Sequence, residues 1–175
     1  MNTSRKNGGA SCVAVLLSIV AIFTTASCSS PPVVDTSGRM HGTVTHVVDG
    51  DTLKVKLGSR SETIRLIGVD TPETKHPTKP IECWGPEASA HTQSLLPPGT
   101  DVVVVRDEEA RDKYGRLLAY VTRTSDNLFI NLDLISGGWA DTLSIEPNTA
   151  YAQAFDDAAS TAQRLQLGLW AHCRR

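Results

Sequence analysis

The chain is arranged around the stretch Arg65-Leu66-Ile67-Gly68-Val69-Asp70-Thr71-Pro72-Glu73. Its first half alternates with the period of two that is typical of a half-buried β-strand. The strand is expected to stop at Thr71-Pro72, because proline lacks a backbone donor and keeps the preceding residue out of the helical region. Three ionisable groups, Arg65, Asp70 and Glu73, fall within this stretch. They suit a site that holds a hard cation together with an anionic substrate, although a solvated strand end would have the same pattern.

Four more strands are predicted around this one. Residues 42–48 and 53–57 flank Asp49-Gly50, a strong hairpin signal because both central positions of a tight turn favour positive φ. Residues 102–105 form an uninterrupted apolar run, which is typical of a buried strand, and residues 117–121 are predicted as the fifth strand. The first three strands are expected to form an antiparallel meander.

Helices are predicted from capping residues and periodicity. The first begins at Gly85-Pro86, where proline occupies the first helical position, and a short one covers residues 131–136. The last opens at Pro147-Asn148 and carries an apolar stripe that should pack on the body. The stripe consists of Tyr151, Phe155, Ala158, Ala162, Leu165 and Leu169. These elements predict an α+β fold dominated by a five-stranded Greek-key barrel of the OB type, with about three helices.

The N-terminus has the pattern of an export signal. Residues 1–27 combine a basic start, an apolar run and small residues, and are predicted to be a removable signal peptide. A cysteine directly after the small residues resembles a bacterial lipobox, which would attach Cys28 to a membrane through a lipid. Secretion without a lipid is the alternative, because Thr25 stands where such signals usually carry leucine. Residues 28–40 are then a lipid-anchor cysteine and tether, and residues 41–175 the folded domain.

Charge and cysteines narrow the function further. Without the leader the chain keeps 15 Lys and Arg against 19 Asp and Glu, a net charge of −4 that argues against broad, charge-driven binding to nucleic acid. Phosphate binding would need local cations helped by a metal. Cys83 and Cys173 remain as the two thiols of an exported domain, where a pair usually forms a disulfide. They lie 90 residues apart and the five histidines lack ligand spacing, which argues against structural zinc.

Four polar motifs recur in an order and spacing that chance does not explain. They are Asp49-Gly50-Asp51-Thr52, the stretch from Arg65 to Pro77, Gly85-Pro86-Glu87-Ala88 and Asp112-Lys113-Tyr114-Gly115-Arg116. Together they closely resemble the staphylococcal nuclease, or thermonuclease, family over roughly residues 42 to 170. The resemblance identifies the chain as an exported bacterial member and implies calcium-dependent cleavage of DNA and RNA that leaves 3′-phosphate ends.

The resemblance also implies roles for single residues. A calcium ion would be held by the carboxylates of Asp51 and Asp70 and by the main-chain carbonyl of Thr71. Glu73 would orient or deprotonate the attacking water. Such a sparse shell should bind calcium weakly, with a Kd of about 10⁻⁴–10⁻³ M that suits an exported protein.

The remaining expected site residues are cationic or aromatic. Arg65 and Arg116 would grip the scissile phosphate, since each offers planar paired donors that lysine lacks. Lys113 and Tyr114 would lie beside the nucleotide. Lys79 is a further candidate for substrate binding, and a solvated loop over residues 75–79 is the alternative. The expected partner is single-stranded or melted DNA and RNA, bound by a monomer.

The chain departs from the family pattern at two positions before Pro147. Leu143 and Ile145 stand where the staphylococcal enzyme has two tyrosines near the nucleotide, so stacking contacts with a base should be lost. The net negative charge is a second departure, since the secreted relative is basic, and together they predict weaker and more salt-sensitive substrate binding. Two other functions remain open from the sequence. One is an OB-fold lipoprotein that binds nucleic acid without cutting it, and the other is a purely structural envelope lipoprotein.

Overall fold

The protein is described by a computed structural model that covers residues 34–35, 38–75, 78 and 80–173. The predicted signal peptide, Cys28, most of the tether and Lys79 lie outside the described residues. Within the covered ranges, no helix has both the length and the apolar character that a membrane crossing requires.

Most of the described chain is a small barrel with helices at its side. In chain order the elements are β1 (Met40–Asp49), β2 (Thr52–Leu57), β3 (Arg60–Leu66), β4 (Gly68–Asp70), α1 (Gly85–Leu95), β5 (Asp101–Val105), β6 (Leu117–Arg123), α2 (Ile130–Ser136), β7 (Asp141–Leu143), α3 (Ala152–Arg164) and α4 (Leu169–His172). In this part of the chain, five strands close in the order β1-β2-β3-β6-β5. The first three form the antiparallel meander, and β3 runs parallel to β6 where the barrel closes. The predicted five-stranded OB-type barrel is confirmed.

The hairpin between β1 and β2 is present, but the predicted reason for its glycine is wrong. Gly50 does not have a positive φ. A Cβ atom at Gly50 would lie 2.7 Å from Oγ1 and Cγ2 of Thr71, so the glycine is required by close packing. The hydroxyl of Thr92 on α1 donates to the carbonyl of Gly50 at 2.8 Å. These contacts hold the β1–β2 turn against the end of β4.

The central stretch is buried on both sides, contrary to the predicted half-buried strand. All residues from Ile64 to Val69 are buried, because one face lines the barrel and the other is covered by helices. Barrel pairing ends at Leu66, and the chain then forms β4, which pairs with β7 in a separate two-stranded sheet. At the break, Gly68 has φ +78 and approaches the ring of Phe155 so closely that a Cβ would clash at 2.3 Å.

A buried asparagine satisfies the backbone groups that this break exposes. Asn131 of α2 donates through Nδ2 to the carbonyl of Ile67 at 2.9 Å and accepts from the amide of Val121 at 2.9 Å. Buried backbone polar groups need partners, and here one side chain supplies them to the residue at the break and to β6. The break in the central stretch is therefore a fixed feature of the fold.

The last predicted helix begins later and ends earlier than expected. Asn148 bonds to the backbone of Glu109 through both its amide nitrogen and its carbonyl oxygen, so it belongs to a loop contact, and α3 starts at Ala152. The helix ends at Arg164, and Gln166 then has a positive φ. Leu165 is consequently exposed, and the predicted apolar stripe ends before it. Leu169 lies in α4, which raises the described helices to four.

Candidate active site

The five side chains expected to carry the chemistry share one cleft. Its volume is about 650 Å³, and it lies beside the β1–β2 turn and the end of β4. The five are Asp51, Arg65, Asp70, Glu73 and Arg116. Asp51 lies in the β1–β2 turn and Arg65 in β3. Asp70 ends β4, Glu73 follows it, and Arg116 directly precedes β6.

The Arg65 side chain contacts both of the predicted metal-binding carboxylates. Its Nη2 atom lies 3.1 Å from Asp51 Oδ2 and 3.6 Å from Asp70 Oδ1. Its Nη1 atom donates to the carbonyls of Leu66 and Val69, on either side of the strand break. Since the Arg65 side chain is 8% exposed, its charge is fixed in place. Both carboxylates therefore lie beside the same guanidinium nitrogen.

The surroundings of the Asp70 carboxyl disfavour its charged form. Burial raises its pKa above the usual value, Arg65 opposes that rise, and the nearby acids Asp51, Asp141 and Glu82 add to it. Asp141 is there because it pairs with Asp70 across the β4–β7 sheet. A cation placed among these oxygens would relieve their mutual repulsion.

Glu73 is held through its main chain and one carboxylate oxygen. Its amide donates to Glu82 Oε2 at 3.0 Å, and its carbonyl accepts from the Glu82 amide at 2.9 Å. The amide of Lys75 donates to Glu73 Oε1 at 2.7 Å. The next residue, Thr74, donates its hydroxyl to Asp49 Oδ1 at 2.8 Å, which ties the segment to the end of β1.

The second arginine is positioned by a neighbouring acid. Arg116 donates from Nε to Asp112 Oδ2 at 2.6 Å, and its main-chain amide donates to Asp112 Oδ1. Burial alone would raise the pKa of Asp112, but the hydrogen bonds from Arg116 and Tyr114 hold that pKa below its usual value. The Tyr114 ring is exposed, with Arg116 and Lys113 each within about 5.5 Å of its centre. Tyr114 thus presents an open aromatic surface at the edge of the cleft.

The two positions that depart from the family pattern border a second, adjacent cavity. Leu143 and Ile145 line a space of about 410 Å³ together with Lys113 and Tyr114. Its lining thus combines aliphatic side chains with one aromatic ring, three basic residues and two acids.

The charge in the main cleft favours a bound divalent cation. Of the described residues that line it, five are acidic and three basic, a formal charge of −2. The acids are Asp49, Asp51, Asp70, Glu73 and Glu82, and the bases Arg65, Lys75 and Arg116. Within the ranges that the structure describes, no three His, Cys, Asp or Glu side chains converge as a metal-binding group. The predicted ligands are the carboxylates of Asp51 and Asp70 and the Thr71 carbonyl, and hard oxygen donors of this kind are the ones that calcium prefers.

A disulfide lies next to this cleft. Cys83 and Cys173 are bonded, with their Cα atoms 5.8 Å apart, and join the segment after Glu73 to the C-terminal helix α4. Asp70, Thr71 and Glu82 line a small pocket together with both cysteines.

Sequence reasoning missed the supporting acids. Glu82 comes nine residues after Glu73 with no motif of its own, and Asp141 reaches Asp70 only through the unpredicted β4–β7 pairing. Asp49 and Asp112 were noted as parts of motifs without a role. Of the predicted site residues, Lys79 and Cys28 lie outside the described residues, so the structure does not place them.

Comparison with known proteins agrees with this geometry. The family model described as "Staphylococcal nuclease homologue" matches residues 63–172. A thermonuclease of Staphylococcus intermedius is 40% identical over 127 residues, which cover 73% of this chain and 74% of the relative. A thermonuclease of Staphylococcus hyicus is 36% identical over 129 residues, covering 74% and 75%. Endonuclease YhcR of Bacillus subtilis is 38% identical over 152 residues, which are 81% of this chain but 12% of that longer protein. The chain therefore belongs to the staphylococcal nuclease homologue family.

Proposed function

We propose that this protein is an exported, calcium-dependent nuclease that hydrolyses phosphodiester bonds in DNA and RNA and leaves 3′-phosphate ends. The observation that carries the proposal is the meeting of two arginines and three carboxylates in one cleft of formal charge −2. Such a cleft repels a phosphodiester by itself, so it needs a cation before substrate can approach. Structural stability alone requires no such arrangement.

The cation site would consist of the Asp51 and Asp70 carboxylates and the Thr71 carbonyl. When bound, calcium would neutralise charge on the phosphate and act as a Lewis acid. The protein contributes a rigid frame for these oxygens. Asp51 is held by Arg65 and by the Thr52 hydroxyl at 2.8 Å, and Thr71 is packed against Gly50.

Glu73 is the group that would accept the proton of the attacking water. The amide of Lys75 occupies Oε1, which within the described contacts leaves Oε2 for the water. General bases act when held within hydrogen-bond reach of the proton they remove, and Glu73 is fixed at its amide, its carbonyl and one oxygen. The water gives its proton to Glu73 as it attacks phosphorus, the bond from phosphorus to the 5′ oxygen breaks, and that oxygen takes a proton from solvent water. The phosphate stays on the 3′ side.

The two arginines would have different tasks. Arg116 uses Nε for Asp112, which leaves its Nη groups as donors for phosphate oxygens. Arg65 spends Nη1 on two main-chain carbonyls and Nη2 on carboxylates, so it contributes mainly a fixed positive charge at the floor of the cleft. Preorganised charge of this kind stabilises the transition state without reorganisation during the reaction.

Export is part of the proposal. The leader of residues 1–27 would direct the chain out of the cytoplasm, and a lipid on Cys28 would tether the domain through residues 28–40. A weak calcium site, with a Kd of about 10⁻⁴–10⁻³ M, fills outside a cell and stays empty in a cytosol. The disulfide between Cys83 and Cys173 also suits an oxidising compartment.

The test is cleavage of single-stranded DNA and RNA by the full chain, with calcium and with an excess of chelator. We expect calcium-dependent products whose 3′ ends carry phosphate by mass spectrometry, and loss of turnover by several orders of magnitude in Glu73→Ser. The matched control is Glu87→Ser on the exposed first turn of α1, which should cut like the wild type. Binding of nucleic acid without cleavage would favour the non-catalytic binding module instead.

A further inference from the structure

Glu82 makes a reciprocal pair of contacts with Glu73 that the proposed reaction does not yet use. The Glu82 carboxylate accepts from the Glu73 amide at 3.0 Å, and the Glu82 amide donates to the Glu73 carbonyl at 2.9 Å. These two bonds fix the main chain of Glu73 on both sides of its Cα atom. Glu82 also lines the main cleft, with its side chain exposed.

An exposed carboxylate alone binds a backbone amide weakly, because water competes for the same donor. Glu82, however, is bound to a rigid neighbour. Cys83 carries the disulfide to Cys173, and the next residue, Trp84, stacks on His172 with ring centres 4.2 Å apart. The C-terminal helix α4 is thereby clamped to the segment that presents Glu82.

The disulfide lies next to residues of the site. Cys83, Leu169 and Cys173 line one small pocket together with Asp70, Thr71 and Glu82. The covalent bond is thus close to the predicted metal ligands and to the residue that holds Glu73. A shift of the 82–84 segment would be passed to Glu73 through the two backbone bonds.

We propose that Glu82 is a positioning residue for Glu73 and that the Cys83–Cys173 disulfide anchors it. This inference rests on the proposed function, in which Glu73 accepts a proton from water. A displacement of about 1 Å in such a group can lower the rate by as much as about 100-fold. Since Glu73 acts on the water, loss of its position should lower kcat and leave KM unchanged.

The experiment compares Glu82→Ala, Glu82→Gln and the exposed control Glu87→Ala in the full chain. We expect kcat to fall about 10- to 100-fold in Glu82→Ala with no change in KM. Glu82→Gln keeps an oxygen acceptor for the Glu73 amide and should restore kcat to near the wild-type value. A Glu82→Gln variant as slow as Glu82→Ala would overturn the proposal, because charge and not position would then be the cause.

Testing Glu82→Ala in a protein that already lacks Glu73 separates a positioning role from a general structural role. In Glu73→Ser, the additional change Glu82→Ala should have no effect on the residual rate, because the residue through which it acts is gone. A further fall in that background of the same size as in the wild type would contradict the inference. The paired Cys83→Ser, Cys173→Ser variant, assayed well below its unfolding temperature, should behave in the same way as Glu82→Ala in both backgrounds.

Hydrogen exchange of the Glu73 amide tests the contact without any activity. In the wild type and Glu82→Gln this amide should exchange slowly, and in Glu82→Ala it should exchange at least about tenfold faster, while the global unfolding midpoint stays constant. Equal exchange in all three proteins would overturn the positioning role. A wild type with a slow Glu73 amide but no nuclease activity would overturn the proposed function and leave the contact established.

Discussion

Arg65 and Asp51 form an ion pair of 3.1 Å in which both side chains are almost entirely removed from solvent. The same guanidinium also binds the carbonyls of Leu66 and Val69. One side chain therefore supports the backbone at the strand break and sets the distance between the predicted metal ligands. Because Arg65 supports both the backbone and the predicted metal ligands, its replacement should change both stability and activity.

Arg65→Lys should lower both activity and stability. A single ammonium cannot serve two carbonyls and two carboxylates, so buried acceptors are left unpaired at a cost of about 1–3 kcal/mol. Loss of a preorganised charge should lower kcat by about 100-fold or more. Urea unfolding and steady-state kinetics would measure the two effects.

The matched control for this change is Arg123→Lys at the far end of β6. Arg123 also combines a carbonyl, that of Leu95, with a carboxylate, that of Asp126, but it lies outside the main cleft. It should keep wild-type kcat. A similar fall in kcat for both variants would mean that Arg65 acts only through stability.

The sequence predicts the barrel well because its strands alternate or form apolar runs between strong turn signals. It fails where tertiary contacts override local pattern. The three-residue strands β4 and β7 are too short to show a period, and the stretch before Asp70 loses its alternation because helices cover its outer face. Asn148 has the composition of a helix start but bonds to a distant loop instead.

The site was predictable to the extent that its residues lie in recognisable motifs. The cleft contains all five residues named from those motifs, whose catalytic roles remain predictions. Glu82 and Asp141 were missed because their proximity to Glu73 and Asp70 depends on a disulfide-bonded segment and on an unpredicted strand pair. Such partners have no spacing signal in a single sequence.

Asp70→Asn should stabilise the metal-free protein at neutral pH. The folded state raises the pKa of Asp70 above its ordinary value of 3.8, so the native state binds more protons than the unfolded chain in the pH window above that value. Stability therefore falls as pH rises through this window, and asparagine removes that loss. Below pH 3.8 the two proteins should converge, which urea unfolding at several pH values with chelator present would show.

Asp112→Asn should give the opposite result in the same experiment. The pKa of Asp112 is lowered in the folded state, so its carboxylate contributes stability at neutral pH that is lost as pH falls below the usual aspartate value. The variant should thus be less stable than the wild type at pH 7. Identical pH profiles for the two variants would contradict the electrostatic account of the cleft.

Tyr114→Ala should weaken substrate binding with little change in kcat. The ring is 72% exposed and available for stacking on a base, a contact worth about 1–3 kcal/mol. KM for single-stranded DNA should therefore rise about 5- to 150-fold, while Tyr114→Phe keeps the aromatic face and should remain close to the wild type. An unchanged KM in the alanine variant would remove Tyr114 from the binding surface.

Calcium should stabilise the wild type and fail to stabilise Asp70→Asn, although that variant is the more stable one without metal. At about 10 mM calcium and a Kd of about 10⁻⁴–10⁻³ M, the expected gain in unfolding free energy is about 1.4–2.7 kcal/mol. The control Asp126→Asn replaces an acid at the far end of β6 and should gain as much as the wild type. The informative outcome is that Asp70→Asn is more stable than the wild type without calcium and less stable than it with calcium. A variant that was merely damaged would be the less stable protein in both conditions. Equal calcium stabilisation of wild type and Asp70→Asn would place the ion elsewhere and remove Asp70 from the metal site.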